Sequence, residues 1–148
     1  MDAQSMPEPL AILAAYPDVS AVLQALLKGA QSALGDHFIG LYCYGSLASG
    51  NFNPQTSDID FVVVTDAYLS DELIHALEAL HVRLWNSGLK WAAKLEGAYV
   101  PLPTLRRHDP AAAPCPTINE GRFYLDRLGS DWIIQRYILR EYLSLIHI

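Results

Sequence analysis

The sequence predicts an α/β (α+β) domain built on a small mixed β-sheet with helices packed on one face. Two stretches, 18–34 and 71–87, carry apolar residues at helical spacing. Three short segments, 38–44, 58–65 and 94–100, are rich in β-branched and aromatic residues and read as strands. Glycines and prolines separate them, giving the order helix, strand, strand, helix, strand. With 148 residues, 51% of them hydrophobic, the chain suits one domain around one core.

Each element has its own local signals. Residues 1–17 contain Pro7, Pro9 and Pro17 and read as a loosely ordered lead-in to a domain spanning 18–142. Asp18 is placed to cap the first helix and Gly35 to end it, with Val19, Val22, Leu23, Leu26, Leu27 and Leu34 forming the buried stripe. The polar stretch 46–57 reads as a loop or a short helical turn. Ser70 caps the second helix, Asp71 and Glu72 suit the positive end of its dipole, Leu73, Leu77, Leu80 and Leu84 face inward, and Gly88 stops it. Pro101 and Pro103 end the third strand. From 106 to 127 the chain reads as an irregular surface excursion with a short strand near Phe123. Ser130 then caps a last helix over 131–142, and the apolar end 143–148, without cap or polar tail, reads as a truncation or a foreign tail.

Composition narrows the function. No apolar run approaches the roughly 20 residues of a membrane span, and Asp2 with no basic residue around it does not open a secretory leader, so a soluble cytoplasmic protein with no membrane partner is expected. Cys43 and Cys115 have neither metal-ligand spacing nor disulfide density, and the five histidines form no ligand pattern. A formal net charge of −6 disfavours nucleic acid and favours a small substrate, cationic ones included. Trp85, Trp91 and Trp132 read as core or interface aromatics, and Arg136 and Arg140 as a solvated helix face.

The informative segment is Gly45-Ser46, eleven residues, then Asp58-Ile59-Asp60 leading into an apolar strand. Residues two apart on a strand share a face, so the two carboxylates are forced together while Ile59 enters the core. At about 4 Å and an effective dielectric near 20 their repulsion is on the order of 4 kcal/mol, enough to raise a carboxyl by about three pH units. A divalent cation relieves it. Oxygen ligation suits Mg²⁺, which takes one or two carboxylates together with substrate phosphates and waters. Gly45 and Ser46, at the end of the preceding strand, offer backbone N–H groups and a hydroxyl to a phosphate.

The whole pattern resembles the nucleotidyltransferase superfamily, whose signature is a strand ending in Gly-Ser, a spacer of about this length, and Asp-x-Asp opening the next strand. Within it, LYCYGSLASGNFNPQTSDIDFVVVTD, KLEGAYVPLPTLRRHDP and DWIIQRYILREY are similar to the streptomycin- and spectinomycin-type aminoglycoside adenylyltransferases of antibiotic-resistant bacteria. The resemblance implies Mg²⁺ held by Asp58 and Asp60, ATP as co-substrate cradled by Gly45 and Ser46, and transfer of AMP to a hydroxyl of a small acceptor. It also implies that a third acid on the next strand serves as general base or metal ligand, which is Glu96 here, the one acid on that strand. A plainer reading has Glu96 exposed and paired with Lys94. The family continues into a helical C-terminal domain that this chain is expected to lack. Two alternatives stand beside this reading: a minimal antitoxin-type nucleotidyltransferase modifying a partner protein, and an inactive nucleotide-binding fragment. The acceptor, the base preference and the oligomeric state are left open.

Overall fold

The structure, a computed structural model, describes residues 15–44, 52–106 and 113–127. Its elements are helix α1 (Pro17–Leu34), strand β1 (Phe38–Tyr44), strand β2 (Ile59–Thr65), helix α2 (Asp71–Trp85), strand β3 (Leu95–Pro101), the short helix α3 (Leu102–Arg106), and strands β4 (Cys115–Asn119) and β5 (Arg122–Asp126). The five strands form one mixed sheet in the order β1-β2-β3-β4-β5. Only the β2–β3 pair is parallel. Parallel neighbours require a crossover connection, and α2 provides it. The first 14 residues of the lead-in, the Gly45-Ser46 turn, and the expected 131–142 helix and 143–148 tail lie outside the described residues.

Strand alternation gives the sheet two unlike faces. One carries Leu41, Cys43, Ile59, Phe61, Val63, Leu95, Tyr99 and Ile118, which pack with Val19, Val22, Leu23, Leu26, Ala30 and Leu34 of α1 and Leu77, Leu80 and Leu84 of α2 into the main core. The two long helices cross closely, since a side-chain carbon added at Gly29 would run into Leu80. On the other face Val62, Ala98 and Val100 make a smaller buried cluster with Tyr42, covered by Leu105 of α3. The long helices thus sit on one face as expected, with one helical turn against the other.

Several boundaries differ from expectation for identifiable reasons. Helix α1 begins at Pro17, with Tyr16 at the cap position and no side-chain cap bond, so Asp18 lies in the first turn instead of capping it. Proline's fixed φ and missing N–H suit the first helical position. Ser70 does cap α2, accepting from the Leu73 amide at 3.3 Å, but α2 ends at Trp85 with Asn86 as its C-cap. Gly88, with φ +81°, belongs to the turn beyond. Strand β2 begins at Ile59, leaving Asp58 just ahead of it, and Lys94 falls in a 3-10 turn before β3.

The largest difference is the expected excursion at 106–127, which holds two strands: β5, where the short strand near Phe123 was expected, and β4, which was not. β4 and β5 pair antiparallel from Cys115↔Asp126 to Asn119↔Arg122. Their turn is Glu120-Gly121, both left-handed, with φ of 50° and 78°. Two consecutive left-handed residues match the right-handed twist of a hairpin, and glycine supplies the second at no steric cost. Trp85, expected as a core or interface aromatic, is 51% exposed and lies against Gly121.

One polar pair is built into the core. His81 of α2 and Tyr99 of β3 are both buried, with His81 Nε2 2.6 Å from the Tyr99 hydroxyl. The imidazole stacks between the rings of Phe61 and Phe123, at centroid distances of 6.2 and 5.9 Å. Burial lowers its pKa from 6.5 to about 4. The folded state therefore holds His81 neutral, and the stability it contributes is fully present above pH 6.5 and is lost as pH falls toward 4. Urea unfolding of wild type and His81→Gln should show a stability difference that shrinks between pH 7 and pH 5. A difference independent of pH would mean that the imidazole is not held neutral.

Candidate active site

The sheet brings three predicted residues together. In the parallel β2–β3 ladder Asp60 stands opposite Glu96, and on β1 Tyr44 stands opposite Asp60. By alternation Asp60 and Glu96 share the face of Val62, Ala98 and Val100, away from the long helices. Adjacent strands are about 4.8 Å apart, so two carboxyl groups in register on one face meet. Since β2 and β3 are interior strands, the cluster sits at one end of the sheet and not on an edge strand.

Asp58 joins from the connection before β2. A tight turn holds that connection: the Asn53 carbonyl accepts from the amides of Thr56 and Ser57 at 3.2 and 2.9 Å. The Asn53 amide donates to Ser57 Oγ at 2.9 Å, and Asn53 Oδ1 accepts from the Gln55 amide at 2.8 Å. Beneath this end, the rings of Tyr16 and Phe52 meet edge-on at 5.1 Å and Phe52 meets Trp91 at 5.3 Å. These contacts tie the segment leading to Asp58 to the turn leading to Glu96. Gly97 also needs to be glycine, because a side-chain carbon there would strike the Phe61 carbonyl and ring and push β2 from β3 directly below the acids.

Burial and mutual repulsion set the electrostatics. The Asp60 carboxyl is pushed up from 3.8 to about 7, first by burial, then by the Glu96 charge and a hydrogen bond with Glu96, and last by Asp58. The rise expected from Asp58 alone therefore has burial as its main cause and Glu96 as its stronger neighbour. Glu96 is itself raised, by burial and then by Asp58, while the hydrogen bond from Asp60 pulls it down. The Asp60–Glu96 hydrogen bond thus favours the protonated form of Asp60 and the ionised form of Glu96, while a hydrogen bond with Asp58 favours a proton on Glu96. Glu120, in the hairpin turn, adds a further negative charge near Glu96. Sequence reading missed this neighbour, because glutamate is not among the residues that favour the first left-handed position of such a turn, and Gly121 alone is a weak signal.

Lys94 pairs with Asp58, at 4.0 Å, and not with Glu96 as the plainer reading had it. Gly45 and Ser46 follow Tyr44 in sequence and lie outside the described residues. Among the described residues no group of three His, Cys, Asp or Glu side chains is placed to hold a metal ion by itself. The donors present at the cluster are all carboxylate oxygens, the ligand type that Mg²⁺ prefers, and a Mg²⁺ site normally completes itself with water and phosphate oxygens. The residues fit that ion.

The chain matches the nucleotidyltransferase domain family over residues 25–103, just over half of its length. It belongs to that family, and nucleotidyl transfer from a nucleoside triphosphate is the class of reaction the family defines. The matched segment includes Asp58, Asp60 and Glu96 and stops short of the β4–β5 hairpin. No curated protein matches the chain. No helix among the described residues is long and apolar enough to cross a membrane.

A raised carboxyl makes a specific demand on stability. Because the folded-state pKa of Asp60 lies above its ordinary value, its contribution is most favourable below pH 3.8 and is lost as pH rises through about 7. In EDTA, Asp60→Asn should therefore raise the melting temperature, by a few degrees for each kcal/mol recovered at this chain length, with a gain that grows from pH 5 to pH 8. A melting difference that stays flat across that range would contradict the coupling.

Proposed function

We propose that the protein transfers AMP from ATP to a hydroxyl of a small molecule, an aminoglycoside-type antibiotic being the favoured acceptor, in a Mg²⁺-dependent reaction. The observation that carries this reading is the in-register pair Asp60↔Glu96, joined by Asp58, in a chain of the nucleotidyltransferase domain family. Asp58 and Asp60 would hold the metal, whose charge would neutralise the triphosphate as negative charge moves to the leaving group. Asp60 must give up its proton to serve as a ligand, which its raised pKa makes feasible near neutral pH.

Glu96 is the proposed base. It is half-buried beside Asp60, and its raised pKa moves it toward the range in which a carboxylate accepts a proton at neutral pH. The acceptor oxygen attacks the α-phosphorus and its proton passes to a Glu96 carboxylate oxygen. The bond from that phosphorus to the bridging oxygen of the β-phosphate breaks, and pyrophosphate leaves. Gly45 and Ser46 would cradle the phosphates, a role supported by their place in the sequence motif. Positioning and charge compensation carry most of such a reaction.

The preference for a cationic acceptor draws support from the sequence resemblance and from the formal net charge of −6. Antibiotic resistance follows from the same resemblance, action in the cytoplasm from the lack of a membrane-span or leader pattern in the sequence, and both stand as part of the proposal. Pyrophosphate release with ATP, Mg²⁺ and a panel of aminoglycosides tests it. Asp58→Asn and Asp60→Asn should bring release to background, and Glu96→Gln should cost about 10²- to 10⁴-fold, with circular dichroism unchanged. Wild-type rates in the folded aspartate variants would refute the metal assignment.

A further inference from the structure

Resting on the reading just given, we infer that Lys94 is a ligand of the triphosphate, exchanging Asp58 for phosphate oxygens when the metal and nucleotide bind. Among the described residues Lys94 is the one basic side chain paired with any of the three acids, its Nζ 4.0 Å from Asp58 Oδ1. Its backbone is fixed while its side chain reaches solvent. The Lys94 amide donates to the Trp91 carbonyl at 3.0 Å, and the Trp91 ring is buried against Phe52, so the turn carrying the lysine is anchored in the core. The side chain itself is half-exposed. It stands two residues before Glu96, at the end of the sheet where the acids converge.

The exchange follows from charge. A divalent cation at Asp58 and an ammonium at Asp58 compete for one carboxylate, and two cations repel at such separations. When the cation takes the acid, the ammonium needs a new anionic partner within the reach of a flexible four-carbon stem, and the phosphate chain brought by the same cation is that partner. The pairing at 4.0 Å is long for a charge-assisted hydrogen bond, so it is readily given up. One consequence is opposite in sign for the two ligands: Lys94 opposes binding of the metal alone and favours binding of the metal with nucleotide.

Lys94→Gln, with Lys94→Arg as the charge-retaining control, tests this on the full chain with two equilibrium measurements. Mn²⁺ binding to the protein alone is followed by electron paramagnetic resonance, and binding of α,β-methylene ATP in saturating Mg²⁺ by calorimetry. Losing an exposed ion-pair competitor should leave Mn²⁺ affinity unchanged or tighten it by up to about fivefold. Losing a charge-assisted phosphate contact should weaken the analogue by about tenfold or more, with Lys94→Arg recovering part of it. Unchanged analogue affinity in Lys94→Gln overturns the inference, while Mn²⁺ binding by the wild type leaves the acid site standing. Mn²⁺ and analogue affinities that weaken together also overturn it, since that pattern marks damage to the acid cluster. A wild-type chain that binds neither probe removes the underlying functional reading and this inference with it.

Discussion

The parallel pairing of β2 with β3, in the register that sets Asp60 opposite Glu96, is the constraint on which the site depends. Side-chain alternation then has no freedom left. With Ile59, Phe61, Leu95 and Tyr99 committed to the helix-covered core, Asp60 and Glu96 must both emerge on the opposite face. A slip of one residue in either strand would bury a carboxylate among apolar groups and expose an aromatic ring, so the hydrophobic core locks the register and the register creates the acid pair.

This arrangement stores repulsion that the fold has to sustain. Three acids approach one another at the end of interior strands, with Glu120 of the hairpin nearby, and one proton held on Asp60 relieves part of the strain near neutral pH. The support comes from beneath: Phe61 lies flat against Gly97, the Tyr16–Phe52–Trp91 rings pin the segments leading to Asp58 and Glu96, and the buried His81–Tyr99 pair stiffens the contact of α2 with β3. Electrostatic cost on one face is carried by dense packing on the other, a common division of labour between a binding site and the core that holds it.

Much of this was legible from residue patterns. The bounds of β1 and the burial of Leu77, Leu80 and Leu84 follow from periodicity, because each element contrasts an apolar face with a polar one. Strand alternation set Asp58 beside Asp60, whereas Glu96 entered the site only through the family resemblance. What sequence could not supply was strand order: nothing local says that β3 lies beside β2 in parallel, and so Glu96, more than Asp58, is the acid that perturbs Asp60. The strand near Phe123 was legible as β5, but its partner β4 and the hairpin turn were missed because prolines and alanines at 110–116 dominate the stretch, and because Glu120 in a left-handed conformation is an unusual first turn residue. The partner of Lys94 likewise depends on a turn whose shape no spacing rule predicts.

If Asp58 and Asp60 hold a divalent cation, the cation must displace the proton that burial and Glu96 favour on Asp60 near neutral pH. Calorimetric titration of Mg²⁺ or Mn²⁺ at pH 7, repeated in buffers of different ionisation enthalpy, counts the protons released per ion bound. Release of up to one proton per ion, falling to none by about pH 9 as Asp60 loses its proton beforehand, is the predicted result. Saturable binding with no proton release at either pH 6 or pH 7 would contradict it.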